Sequence, residues 1–486
     1  MKRSLSSESP TLGRIYGYAL GDGAVAISTN GVSNFALLYY GQILGITGTQ
    51  AGIALSIGML WDAVSDPIMG HLTDQTRSRW GRRHPYLLIG GLGVALSFLC
   101  MWLLHWLPAA YGMTMALVIA TNLVLRTSLT VFSVPYTALG FEMCRDYIGR
   151  SKLQGARSFV NQVSNFIFGA LAWSLFFTDQ KAVDGSRIDG SSIAGNYVQM
   201  GFALSAGVFL LACLCTWITW PYAKDNRADP VPPGTLKVFL QEIYQISRER
   251  MVWWVFGFFS VAQFGMMVVG QAQMFSYVFF MELTDREKTF VHGGGMLAYA
   301  LAALWQGWLT QRLDKKKTGY LAMGICMFSG LALATIFLWL GMPARTEVSF
   351  IGVQVPVGVG IFALGQFLWW GGCGMLVPIA LSMVADLSEI HYLKTGLHKE
   401  GTYSAMFTFT LKACLSLGLL FVGKMVDLAG IVPEAKQQTT AAVQSITAVT
   451  FLVGPLFIFA SFFLLALYPV NREWMQALEK NEEKSD

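Results

Sequence analysis

Long apolar runs separated by short polar or basic loops recur along the whole chain. Each run has the length of a membrane-spanning helix, which needs about 20 apolar residues at 1.5 Å per residue. The pattern predicts twelve spans and therefore an all-α polytopic membrane protein. The predicted spans are 15–40, 46–70, 86–107, 113–137, 154–177, 199–221, 251–281, 290–310, 319–341, 351–384, 401–425 and 443–468.

Composition agrees with this pattern. Of 486 residues, 54% are hydrophobic and 13% are charged, whereas soluble domains carry about 25% charged residues. This excludes a soluble globular enzyme, a disordered chain and a secreted disulfide scaffold, since the seven cysteines form no CxxC pair. The net charge of +5 is attributed to the loops, so no nucleic-acid partner is expected, and no cofactor is expected beyond a coupling ion.

Lys and Arg residues concentrate in alternate loops, which sets the expected orientation. By the positive-inside rule both termini are cytoplasmic, and the expected location is the plasma (inner) membrane. The longest polar loop, 223–250, is rich in Pro and Gly and then amphipathic. It predicts a cytoplasmic linker between an N-terminal six-helix bundle, 1–222, and a C-terminal six-helix bundle with a short tail, 251–486.

A short internal repeat follows the second and the eighth span. The pattern G-x-L-T occupies 70–73 and 307–310, and a basic cluster follows each copy. A glycine would let two helices approach closely, an acid would cap a neighbouring helix, and arginines would hold the loop at the cytoplasmic face. One interpretation is a gating loop and the other is a simple positive-inside anchor. The residues assigned to the gating loop are Gly70, Asp74, Arg77, Arg82 and Arg83.

Six charged residues lie in or near predicted spans, where a central charge costs about 2.5–3.5 kcal/mol on insertion scales. Such residues mark ion or substrate pathways by default. They are Asp22, Asp62, Asp66, Arg126, Arg157 and Lys412.

Two of these acids, Asp62 and Asp66, are four residues apart and therefore share one helix face. Their like charges repel, and a bound cation or a shared proton relieves that repulsion. Ser65 adds a hydroxyl, and Pro67 frees a backbone carbonyl one turn earlier. Because hard cations prefer oxygen clusters, the pattern predicts a cation site; the alternative is that both acids are structural partners of Arg157 or Lys412.

The segment WDAVSDPIMG at 61–70, followed by D…TRSRWGRR to position 83, resembles the glycoside–pentoside–hexuronide:cation symporters. This family is a branch of the major facilitator superfamily. The segments PYTALG at 135–140, Ala385-Asp386, and Glu400-Gly401 with Lys412 agree with it. The resemblance implies a twelve-helix fold in two halves around a central cavity, with symport by alternating access.

The resemblance also implies residue roles. Asp62, Asp66 and Thr130, with the neighbouring Ser65, would bind Na⁺, Li⁺ or a proton, and the oxygen set slightly favours sodium. Lys412 would approach the cation site and stand in for the cation or compete with it.

The same resemblance places sugar hydroxyls at Asp22 and Arg157. A carboxylate and a guanidinium offer an acceptor pair and a donor fork to vicinal hydroxyls. The alternative is an ion pair without a ligand.

Three positions bear on the substrate. Ser133 replaces the family's sugar-binding aspartate and Thr137 replaces its ring-stacking tryptophan, which puts galactosides in doubt. The resemblance assigns no role to Arg126. If it faces the cavity, it would join Arg157 in favouring an acidic sugar such as a uronide; near the outer interface it would snorkel to water.

The expected function is a cation-coupled symporter that imports a glycoside, oligosaccharide or uronide, with a monomer as the working unit in the bilayer. The cation would bind first and raise the affinity for the small-molecule substrate. One alternative is a sodium-dependent lysophospholipid symporter. A remote alternative is a membrane sensor that transports nothing; intramembrane enzyme motifs are missing from the sequence.

Overall fold

The computed structural model divides the chain into two compact units, Met1–Gly234 with Val432–Lys436, and Thr235–Ile431 with Gln437–Asp486. The junction falls inside the predicted linker, 223–250, although most of that linker lies outside the described residues. The structure describes residues 10–107, 111–144, 147–181, 185, 187–223, 244–350, 353–395, 400–435, 437–470 and 474.

The first unit is a helical bundle. Its elements are α1 (Leu12–Gln42), α2 (Gly48–Gln75), α3 (His84–Trp102), α4 (Tyr111–Met143), α5 (Tyr147–Ser164), α6 (Leu171–Phe176), β1 (Gln180–Lys181), β2 (Arg187–Ile188) and α7 (Ala194–Thr219). Helix α3 packs on α4 and α7, α1 packs on α5 and α7, and α2 packs on α4. A π-helical turn, Asn165–Ala170, joins α5 to α6, and the antiparallel strands β1 and β2 form a two-stranded hairpin after α6.

The second unit repeats this helical architecture. Its elements are α8 (Arg250–Phe275), α9 (Asp285–Leu313), α10 (Lys315–Leu333), β3 (Val348–Phe350), β4 (Val353–Val355), α11 (Val357–Thr395), α12 (Glu400–Leu428), α13 (Thr440–Ala448) and α14 (Gly454–Leu467). Helix α11 packs on α9 and α10, and α8 packs on α12 and α14. Three of these helices are followed by a π-helical turn, at Ser276–Phe280, Ala334–Trp339 and Val449–Val453.

Local chemistry explains several helix starts and contacts. Thr47 and Gln50 form a reciprocal capping box at the start of α2, which satisfies backbone N–H groups that have no helical partner. A Cβ on Gly90 would lie 2.6 Å from the backbone nitrogen of Phe132, so this glycine allows α3 and α4 to touch backbone to backbone.

Nine helical segments in the described part of the chain are long and apolar enough to cross a membrane. The long helices that fall below this apolarity are α1, α2 and α9. Polar residues lower their hydropathy, and α2 alone contains Asp62, Asp66 and Asp74. The prediction of a multi-pass helical membrane protein is confirmed, while the count of twelve spans stays a prediction.

Candidate functional site

Polar side chains line the contact between α2 and α4. Arg126 on α4 reaches Asp62 on α2, and its Nη1 lies 2.9 Å from Asp62 Oδ2. The two side chains are 11% and 9% exposed. A pair buried this deeply needs both charges, because removing one leaves the other uncompensated at a cost of about 3–5 kcal/mol.

One turn further along α2, Asp66 begins a short chain of hydrogen bonds through two hydroxyl groups. Thr130 Oγ1 donates to Asp66 Oδ1 at 2.8 Å. Ser65 Oγ lies 3.0 Å from Thr130 Oγ1. Ser65 and Thr130 are buried and Asp66 is partly exposed. The structure thus brings together three of the residues assigned to the cation site, as an oxygen cluster on two helices.

The structure gives Arg126 a partner that the sequence did not predict. Its guanidinium is neutralised by Asp62, the first acid of the predicted cation pair. The assignment of Arg126 to the substrate stays a prediction.

A second cluster joins α1, α4 and α5 around Asp22. Arg157 grips this carboxylate with two bonds, Nε to Oδ2 at 2.6 Å and Nη2 to Oδ1 at 3.1 Å. The Tyr136 hydroxyl donates to Oδ2 at 2.8 Å. The Arg157 guanidinium also lies 5.2 Å from the centroid of the Tyr136 ring. Two predicted substrate residues are therefore held rigidly beside an aromatic ring.

Tyr136 is fixed by a reciprocal arrangement with Tyr18 that sequence reasoning missed. The Tyr18 hydroxyl donates to the Tyr136 carbonyl at 2.8 Å, and the two rings stack with centroids 4.4 Å apart. A Cβ on Gly21 would overlap the Tyr136 ring, so only glycine leaves room for it. This packing sets the position of the hydroxyl that reaches Asp22.

Amide side chains continue this cluster along α1 and α5. Asn30 Nδ2 donates to Asn165 Oδ1, and Asn165 Nδ2 lies 3.1 Å from both Asn161 Oδ1 and Gln162 Oε1. All four amides are partly exposed. The sequence contains a signal for two of them, since Asn161 follows Arg157 by four residues on α5 and Asn165, at the start of the π-helical turn, follows Asn161 by four.

Three further predicted residues lie on α4 and α12. Ser133 and Thr137 are partly exposed on α4 of the first unit. Lys412 lies on α12 of the second unit. Its role in coupling stays a prediction.

Arg83 is the centre of the predicted gating loop. Its side chain is 8% exposed and pairs with Asp74 at 2.6 Å and with Glu142 at 3.1 Å, and Nη1 donates to Thr73 at 2.7 Å. Arg82 adds a second bond to Glu142, at 2.9 Å. These contacts tie the ends of α2 and α4 to the start of α3, because Arg83 is the residue that precedes α3.

Two details of the gating loop differ from expectation. A Cβ on Gly70 would come no closer than 3.9 Å to its nearest neighbour, Val134, so close helix approach does not require this glycine. The Asp74 carboxylate contacts the Arg83 side chain instead of capping the helix directly. Arg77 is exposed.

The second unit contains a counterpart to this arrangement. Lys315, which follows the second G-x-L-T segment, donates to both carboxylate oxygens of Asp386 at 2.7 Å. In both units a basic residue at the start of one helix therefore pairs with an acid near the end of the following long helix.

If the loop is a gate, as the sequence predicts, Arg83→Gln is expected to slow turnover at least about tenfold without changing substrate affinity. The substitution removes two charged contacts, each worth about 1.5–3 kcal/mol, that hold three helix ends together. Turnover in counterflow and the binding constant for the substrate would be measured separately. Arg77→Gln, an exposed arginine of the same loop, is the matched control. Equal effects of both substitutions would reduce the loop to a positive-inside anchor.

The fold is that of the major facilitator superfamily transporters. The crystal structure of the nucleoside transporter NupG matches with a TM-score of 0.64, over 95% of this chain and 100% of that chain, at 12% identity. At that identity the likeness shows the fold alone.

The family follows from the sequence. The chain belongs to the MFS/sugar transport protein family, whose model matches residues 17–472. It is 24% identical to the inner membrane symporter YicJ of Escherichia coli, over 92% of this chain and 90% of that protein. It is 22% identical to the glucuronide carrier protein homolog of the same organism, over 94% and 92%. These matches confirm the resemblance to glycoside–pentoside–hexuronide:cation symporters, and the chain is a membrane transporter and not an enzyme.

Proposed function

We propose that this protein is a secondary symporter that imports a neutral glycoside-type sugar together with a monovalent cation. The observation that carries the proposal is the Asp22–Arg157–Tyr136 cluster, continued by amides, within the same unit as the acid and hydroxyl cluster at Asp66. One cluster has the chemistry of sugar recognition and the other has the chemistry of cation binding.

The first cluster suits a sugar for three reasons. The Asp22 carboxylate accepts hydrogen bonds and the Arg157 fork donates them, which matches neighbouring hydroxyls. The Tyr136 ring is an amphipathic wall, and the amides of Asn161 and Asn165 both donate and accept. A rigid, preformed set of such groups lowers the entropy cost of binding.

Charge compensation favours a neutral sugar over a uronide. Both arginines in the first unit's buried clusters are paired, Arg157 with Asp22 and Arg126 with Asp62. Two compensated guanidinium groups leave no positive charge to balance a substrate carboxylate. One argument for a uronide was that Arg126 faces the substrate, and in its pair with Asp62 the charge of Arg126 is already compensated.

The second cluster supplies the coupling ion. Side-chain oxygens of Asp66, Ser65 and Thr130 are the ligand type that Na⁺ prefers, and a carboxylate also serves a proton. Cation binding would raise sugar affinity, and by linkage the sugar would tighten cation binding by the same factor. Transport would then proceed by alternating access.

We further propose the inner membrane as the location, cytoplasmic termini and a functional monomer. The orientation rests on the distribution of Lys and Arg between loops. Protease cleavage of terminal tags in right-side-out and inverted vesicles tests the orientation directly.

Uptake into proteoliposomes is the test of the function. Pools of labelled neutral glycosides and labelled uronides would be offered under an inward Na⁺ gradient, an inward proton gradient, or neither. We expect a neutral glycoside to accumulate under one of the two gradients. Accumulation of uronides alone would overturn the neutral-sugar assignment.

A result without gradient-driven accumulation of any sugar would overturn the sugar-symporter proposal. The lysophospholipid alternative would then be tested in the same vesicles with a labelled lysophospholipid. Transport of no cargo at all would support the remote sensor alternative.

A further inference from the structure

Arg126 forms an ion pair with Asp62, one of the two acids of the predicted cation site. The guanidinium Nη1 lies 2.9 Å from Asp62 Oδ2, and both side chains are almost fully buried. We infer that Arg126 is a tethered cation that compensates the charge of Asp62, so that the coupling ion is bound by Asp66 with Ser65 and Thr130. This inference rests on the proposed symport function and departs from the two-carboxylate site that the sequence predicts.

The surrounding residues are shaped for this arginine. A Cβ on Gly58 would lie 3.2 Å from Arg126 Cγ, so a glycine at that position gives the arginine stem its room. Gly58 is one turn before Asp62 on α2. On α4, one turn before Arg126, Asn122 donates to the Tyr40 hydroxyl at 2.6 Å.

The two helices are therefore in register over three successive turns. Gly58 faces Arg126, Asp62 pairs with Arg126, and Asp66 pairs with Thr130. Positions 58, 62 and 66 on α2 therefore lie beside positions 122, 126 and 130 on α4, because residues four apart on a helix share one face. The arginine is built into this contact and is not a side chain that has folded onto an acid by chance.

The charges between α2 and α4 determine how many cations the site can bind. Two carboxylates and one guanidinium leave a single net negative charge between α2 and α4. Helix α1 also packs on α2, and its Asp22 is already held by Arg157. One monovalent cation at Asp66 neutralises the cluster, which predicts one cation per transport cycle whether the ion is Na⁺ or a proton.

The deciding variant is the double substitution Asp62→Asn with Arg126→Gln. It replaces a compensated pair with a neutral pair of similar size, so we expect gradient-driven accumulation within about threefold of the unmodified protein. Asp62→Asn alone is expected to lose accumulation, because it leaves the Arg126 charge uncompensated beside the ion site. Loss of accumulation in the double variant, with its fold intact, would show that Asp62 is a cation ligand and would overturn the inference.

A second readout needs no transported sugar. The midpoint of thermal unfolding of the purified protein would be measured in NaCl against choline chloride, and at lower against higher pH. We expect the unmodified protein and the double variant to respond alike, and Asp66→Asn not to respond. If no sugar were taken up but the unfolding midpoints showed this pattern, the proposed function would be wrong and the ion assignment would remain supported. A response to NaCl or pH that persists in Asp66→Asn would overturn the ion assignment.

Discussion

Asp66→Asn is expected to abolish gradient-driven accumulation and to leave sugar exchange across the membrane intact. In the proposed cycle the Asp66 carboxylate is the group that binds the coupling ion, and Asn keeps the size and a hydrogen-bond acceptor for Thr130. A potential of 100 mV supplies about 2.3 kcal/mol per charge, which corresponds to about 50-fold accumulation. The variant should lose this accumulation, so that the sugar reaches equal concentrations on the two sides of the membrane.

Two transport modes separate coupling from binding in this variant. Counterflow of labelled sugar into vesicles loaded with unlabelled sugar needs substrate binding and alternation but no net cation movement. Asp179→Asn is the matched control, since Asp179 is a paired carboxylate outside the helices, 2.7 Å from Arg187. We expect the control to accumulate sugar normally. Cation-driven accumulation that persists in Asp66→Asn would place the coupling ion elsewhere.

The sequence predicted the helical membrane fold because its signal is repeated and strong. Each span is an apolar run about 20 residues long, and no tertiary information is needed to recognise it. Boundaries and small elements were harder. The hairpin of β1 and β2 and the π turn at Asn165–Ala170 have no comparable signal, since a few polar residues next to a span fit many backbone conformations.

The sequence predicted part of the candidate cation site but not the partner of Arg126. The spacing of Asp62 and Asp66 gave their shared face, and the resemblance added Thr130. Arg126 lies one turn before Thr130 and therefore on the same face of α4, which is the face turned to α2. Which acid it would meet depends on the register of α2 against α4, which only the packed structure supplies.

Tyr136 could not be given a role for a similar reason. It lies inside the family-like segment at 135–140, but its function depends on stacking with Tyr18, which is 118 residues away in the chain. Contacts between residues this far apart leave no periodic signal. The amides of Asn161 and Asn165 do have a periodic signal, because these residues continue the four-residue spacing that begins at Arg157.

The second large effect concerns the other ion pair. Asp22→Asn combined with Arg157→Gln is expected to reduce sugar affinity at least about 100-fold, because charged hydrogen bonds to sugar hydroxyls are worth about 1.5–3 kcal/mol each. Asp22→Asn alone is a poorer test, since it leaves the Arg157 charge uncompensated at a cost of about 3–5 kcal/mol in stability. Equilibrium binding of the transported sugar to purified protein is the measurement, with monodispersity and the unfolding midpoint as the check on folding.

The two double substitutions make the same chemical change and are predicted to give opposite results. Neutralising Asp62 and Arg126 should preserve transport, because the two charges compensate each other and the substitutions leave Asp66, its proposed ion ligand partners and their hydrogen bonds unchanged. Neutralising Asp22 and Arg157 should destroy binding, because that pair is joined to the Tyr136 hydroxyl and shares its helix faces with partly exposed amides. If the second double variant bound sugar normally, Asp22 and Arg157 would be a structural ion pair, and the sugar site would have to lie among other residues.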